Sequence, residues 1–84
     1  MHLTYITDPG HGWLLVTVAQ LAEVNLDPGS FTRYSYRKGD TLALEEDCDM
    51  ATFLRAYEAV KGETPLIHAV DLDHDAPMRR WARL

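Results

Sequence analysis

Polar and apolar positions alternate over residues 2–7, with Leu3, Tyr5 and Thr7 on one side and His2, Thr4 and Ile6 on the other, which predicts a β-strand. Asp8-Pro9-Gly10 ends it. Proline presets the φ of a turn's second position and glycine accepts positive φ at the third, so a type II turn is predicted, lengthened by His11-Gly12 into a hairpin loop. The chain returns as a strand over Trp13 to Val16. Val18, Leu21, Ala22 and Val24 then recur near helical spacing, and Thr17 is placed to cap a short helix running through Val24. Asp27-Pro28-Gly29-Ser30 repeats the earlier turn chemistry. The flanking segments share no pattern, so turn demand accounts for both copies without an internal duplication.

Residues 31–37 alternate aromatic and polar side chains with one slip, and Lys38-Gly39-Asp40 turns them into Thr41 to Glu45, predicting a second hairpin. Met50, Phe53, Leu54, Tyr57 and Val60 fall on one helical face, which predicts a helix over 50–61. Gly62 suits its stop, and Lys61 places a cation at the negative end of the dipole. Pro65 opens a further strand through Leu72. Residues 76–84 read either as a short helix starting beside Pro77 or as an arm. The expected class is α+β: an antiparallel sheet of four to five strands, the main helix packed on one face, and one or two short helices.

The chain has 84 residues and a mass of 9.5 kDa, which suits a single domain over 1–84 with one modest core. A hydrophobic share of 46% with 25% charged residues argues against wholesale disorder. The lone Cys48 cannot form an internal disulfide, and the N-terminus has no secretory leader pattern, so a cytoplasmic setting is expected. No apolar run approaches the roughly 20 residues that span a bilayer, and no membrane role is expected.

Charge distribution is more informative than the net charge of -5. Residues 40–75 hold ten carboxylates against only Arg55 and Lys61, whereas residues 76–84 add Arg79, Arg80 and Arg83. Such an acidic middle disfavours direct nucleic-acid binding and favours a basic partner surface; its plainer consequence is solubility. The densest stretch, Leu44 to Met50, sets Glu45, Glu46, Asp47 and Asp49 within five positions. Unit charges about 6 Å apart in water repel by roughly 0.7 kcal/mol a pair, so capping, a metal or a basic partner should offset the cluster. Asp47 and Asp49 stand where a helix N-terminus accepts carboxylates. Glu45 and Glu46, at a strand end, should point to opposite faces.

Metal and catalytic readings are weaker. Asp71, Asp73 and Asp75 have the spacing of the first calcium-loop ligands, but Ala76 stands where the sharp-turn glycine belongs and Ala82 where the closing glutamate belongs. A zinc pair is absent from the spacing of His2, His11, His68 and His74, leaving only a composite site of Cys48, His68 or His74 and a carboxylate. Carboxylates around Cys48 disfavour its thiolate, which argues against a cysteine nucleophile. Gly10-His11-Gly12 is too short to cradle a phosphate and reads as loop. Arg33, Tyr34, Tyr36, Arg37 and Lys38 have the composition of a base-stacking platform, although the acidic stretch beyond them opposes phosphate contact.

The stretches DPGHGWL (8–14) and RYSYRKGDTLALEEDCDMATFL (33–54) resemble a group of small proteins encoded by phages and other mobile elements, over about two-thirds of the chain. The chain is also similar to anti-CRISPR proteins of the type I-C class. That resemblance implies a non-enzymatic acidic inhibitor that binds the basic backbone subunit of a CRISPR surveillance complex in the host cytoplasm and denies it target DNA. The charge map supplies the expected contact residues, Asp40, Glu45, Glu46, Asp47, Asp49, Asp73 and Asp75; Trp81 and Met78 are apolar anchors if the tail is exposed and core residues if it packs back onto the sheet, and no cofactor or metal is expected. The alternative is a small hydrolase or metal-binding protein built on the acidic cluster.

Overall fold

The computed structural model describes residues 1–84 and is α+β. Six strands, β1 (His2–Thr7), β2 (Gly12–Thr17), β3 (Tyr36–Lys38), β4 (Thr41–Glu45), β5 (Leu66–Asp71) and β6 (Ala82–Arg83), form one sheet in the order β5-β1-β2-β4-β3-β6. Two helices, α1 (Val18–Glu23) and α2 (Asp49–Lys61), and two 3₁₀ turns, Pro28–Ser30 and Pro77–Arg80, complete it. The sheet thus exceeds the expected four to five strands. It is also mixed, because β5 runs parallel to β1 while all other pairs are antiparallel. A crossover through α2 carries the chain from β4 past two strands to the far edge, which permits the parallel pairing.

Period-two alternation splits the apolar side chains between two faces. Leu3, Leu14, Val16, Leu42 and Leu44 pack with Leu21 and Val24 of the α1 segment and with Phe53 and Tyr57 of α2. On the opposite face Trp13, Tyr36 and Ala43 are covered by Ala76 and Met78. The C-terminal segment is therefore a third layer. It contains the 3₁₀ turn at Pro77 and closes the sheet through β6, whose partner is β3.

Local chemistry explains the ends. Thr17 accepts from the Gln20 amide while the Gln20 side chain accepts from the Thr17 amide, a complete capping box that starts a helix of only six residues. Gly62 takes φ of +73° at the end of α2, and Gly39 takes +58° in the β3–β4 turn. The first hairpin departs from expectation, since Gly10 does not adopt positive φ and no type II turn forms. Instead the Asp8 carboxylate accepts the amides of Gly10 and His11. The loop glycines answer to neighbours: a Cβ on Gly10 would lie 2.7 Å from Arg79 Nη2, and one on Gly12 would lie 2.2 Å from the Tyr5 hydroxyl. Gly12→Ala should accordingly displace the Tyr5 ring and cost about 1–3 kcal/mol of overpacking, read by urea denaturation.

Residues 31–35 are not strand, and β3 is three residues long. Thr32 and Ser35 turn toward the start of α2 instead, for the reason given below.

Candidate interaction site

The acidic cluster divides into two inward and two outward carboxylates. Glu45 ends β4 and accepts the amides of Asp47, Cys48 and Asp49 at 2.9, 2.7 and 3.2 Å, so this glutamate, not Asp47 or Asp49, satisfies the free N–H groups at the start of α2. Asp49 is the first residue of α2 and is 1% exposed. Its carboxylate accepts from the Thr32 amide and hydroxyl and from the Ser35 hydroxyl. Ser35, fully buried, in turn accepts the Glu45 amide. Glu45, Ser35 and Asp49 thus close a ring of hydrogen bonds. No buried side-chain polar atom in the protein lacks a partner. The expectation that Glu45 and Asp49 face a partner is corrected on this ground: both are buried and fully engaged.

Glu46 and Asp47 point outward. Glu46 accepts the Tyr5 hydroxyl at 2.7 Å, and His11 Nδ1 lies 3.9 Å from its other oxygen. Desolvation first, then that hydrogen bond and the nearby charges of Glu46, Asp47 and Asp71, push the Tyr5 phenol up to about 12. The C-terminal ends of β1, β4 and β5 share one end of the sheet, as the pairings Thr7 to Asp71 and Thr7 to Gly12 and the bond from the Glu46 amide to the Gly12 carbonyl show. Asp71, Asp73 and Asp75 therefore join Glu46 and Asp47 there, all exposed. The His74 ring bonded to Asp73 lowers that carboxyl below the ordinary range and keeps it ionised. Asp40 does not belong to this group. It sits in the β3–β4 turn at the opposite end of β4, roughly 20 Å along the strand from Glu46.

The basic tail forms no ion pair with these charges, although Arg79 feels the field of Asp75 and, with Arg83, lines the same cleft as Asp47. Arg79 donates to both oxygens of buried Asp8, at 2.6 and 2.8 Å, and spreads over the Trp13 ring at 5.1 Å. Arg83 lies over Tyr36 at 4.9 Å. The ion pairs of the protein are Arg79–Asp8, Lys61–Glu23 and the two histidine contacts to Glu46 and Asp73. No lysine or arginine pairs with Glu46, Asp47, Asp71, Asp73 or Asp75.

Beside this acidic end lies a cleft of about 440 Å³ bounded by Trp13, Tyr34, Tyr36, Asp47, Cys48 and Arg83. Glu45, Cys48 and Asp49 offer ligand atoms within 4.8 Å of one another. A resident metal does not fit them well, because both Glu45 oxygens and both Asp49 oxygens already accept hydrogen bonds that an ion would have to replace. His68 and His74 are not in that cluster, so the composite site does not assemble. Nor does the stacking platform form along one strand, with Tyr34 66% exposed outside β3 and Tyr36 buried. Met78 is 1% exposed and packs from the arm onto Trp13, Tyr36 and Ala43, which removes it as a contact anchor; Trp81 is half-buried beside it. Sequence reasoning missed Asp8 and Ser35, whose partners lie far along the chain. No helix is long and apolar enough to cross a membrane. No family model matches the chain, and no curated protein or solved structure matches it significantly.

Proposed function

We propose that the chain is a non-enzymatic protein-binding inhibitor that presents one acidic end of its sheet to a basic, nucleic-acid-binding surface of a partner. The observation that carries this reading is the set of five exposed carboxylates, Glu46, Asp47, Asp71, Asp73 and Asp75, at one end with no lysine or arginine paired to them. Charge with no paired lysine or arginine stands in for phosphates, accelerates encounter with a cationic channel and opposes nucleic acid in the same place. The resemblance to type I-C anti-CRISPR proteins makes the backbone subunit of a CRISPR surveillance complex, in the host cytoplasm, the partner of this proposal. Glu45, Asp49 and Asp40 drop out of the contact set, the first two as internal supports and the third as too distant.

The test is capture of the purified surveillance complex by the immobilised protein at low and high salt. Asp47, Asp73 and Asp75 are the residues to reverse, since their side chains hold no other part of the fold in place. The triple change to lysine should reduce capture at low salt at least about tenfold, as should raising salt for the wild type. Asp40→Lys should change it less than about twofold, being outside the patch. Capture insensitive to both the triple reversal and salt would refute the reading.

A further inference from the structure

The two edges of the sheet are protected very unequally. One edge is β6, two residues long and bearing Arg83, the kind of short, charged strand that resists pairing with another chain. The other is β5, six residues, LIHAVD, with no lysine, arginine or bulge and its one carboxylate, Asp71, at the last position. Leu66 is 65% exposed and Ile67 41% exposed, and no element covers either face at those positions. The backbone is open as well. Leu66 and Leu72 donate their amides to Met1 and Thr7 of the β1 side, so in this alternating ladder the even-numbered residues face β1. The N–H and C=O groups of Ile67, Ala69 and Asp71 consequently face outward, unpaired.

We infer that β5 is a self-association edge, pairing antiparallel with β5 of a second copy of this chain about a two-fold axis at His68. The sequence of the strand selects that register. Centring on His68 sets Leu66 opposite Val70 of the second copy and Ile67 opposite Ala69 of the second copy, so every flanking pair is apolar. Ile67 and Ala69 are outward-facing residues and form the hydrogen-bonded pairs; the two His68 side chains meet at a non-hydrogen-bonded pair. Moving the centre to Ala69 would set Ile67 against Asp71, and moving it to Ile67 would set Leu66 against His68, each spoiling an apolar pair. The antiparallel arrangement carries the acidic ends of the two copies to opposite ends of the joined sheet. Because each copy has one long free edge, the association closes at two and leaves the acidic end proposed above accessible.

Equal charges of -5 repel, so added salt strengthens this contact, the reverse of its effect on a basic partner. Sedimentation equilibrium of the full chain from about 10 µM to about 1 mM covers the affinity of so small an interface. The mass should rise from 9.5 kDa toward twice that value, more steeply at high salt. Ala69→Pro deletes an outward amide that the monomer does not use, and proline is tolerated on such an edge, so it should weaken dimerisation at least about tenfold with little change in melting temperature. His68→Glu sets two carboxylates directly opposite and should do the same, and it decides the matter if the proline variant fails to fold. A monomer at every concentration and salt, or a dimer unaffected by His68→Glu, overturns the assignment, and either result leaves the capture experiment untouched.

Discussion

Asp49→Ala is expected to remove about 3–5 kcal/mol of folding stability, most of what a domain of this size possesses. The carboxylate is 1% exposed and accepts three donors, the Thr32 amide, the Thr32 hydroxyl and the Ser35 hydroxyl, the last of them fully buried. Alanine leaves these donors without an acceptor and without water. It also releases residues 31–35 from the start of α2 and breaks the ring through Ser35 to Glu45. Asp49→Asn keeps the volume but offers one acceptor in place of two, and should lose about half as much. Asp47→Ala, two residues away and exposed, should stay within about 0.5 kcal/mol of wild type. Urea denaturation of the three variants checks the ordering. Equal small losses at positions 47 and 49 would contradict the division of the cluster into inward and outward carboxylates.

Asp8→Asn is expected to lower the melting temperature at neutral pH by roughly 10 °C or more and to flatten the acid limb of the stability curve. Asp8 joins three segments: its own hairpin loop through the Gly10 and His11 amides, the C-terminal arm through the Ala76 amide, and Arg79 through two bonds. The Arg79 guanidinium above all, then the amides, holds the Asp8 carboxyl far below its ordinary value of 3.8, against a desolvation that acts the other way. A folded-state value below the unfolded one means that the unfolded chain binds the proton more readily. The stabilisation from Asp8 is therefore complete above about pH 4, the unfolded carboxylate range, and declines as pH falls through that value toward the folded one. Melting temperatures from pH 7 to 2 should drop less steeply in the acid range for Asp8→Asn than for wild type. Parallel acid limbs would show that the clamp is not ionised carboxylate on guanidinium.

The elements that announced themselves in the sequence are those whose signals are local. β1, β2, β4 and α2 lie where alternation or helical spacing puts them, and Thr17 and Gly62 act at the helix ends as their residue types suggest. Residues 31–35 misled because their aromatic alternation is genuine, yet the backbone there turns to deliver an amide and two hydroxyls to Asp49, a demand invisible without knowing where Asp49 lies. The parallel placement of β5 was illegible for a similar reason, since a strand's own residues do not state which neighbour or direction it takes. β6 is too short to carry a pattern. In the candidate site the excess of charge was readable and its disposition was not. Glu45 turns inward because its carboxylate meets the amides that open α2, and whether the arginines of the tail pair with the patch depends on Asp8, 71 residues from Arg79.

The proposed function requires that ionised, outward carboxylates at one end of the sheet compete with nucleic acid for a cationic channel. Its most direct measurement is target-DNA binding by the purified type I-C surveillance complex, titrated with the wild-type protein and with the Asp47, Asp73 and Asp75 triple reversal. The account predicts that wild type displaces DNA in proportion to its occupancy and that the triple reversal needs at least about tenfold more protein for the same displacement. Equal displacement by both proteins, or none by the wild type while it remains folded, would contradict it.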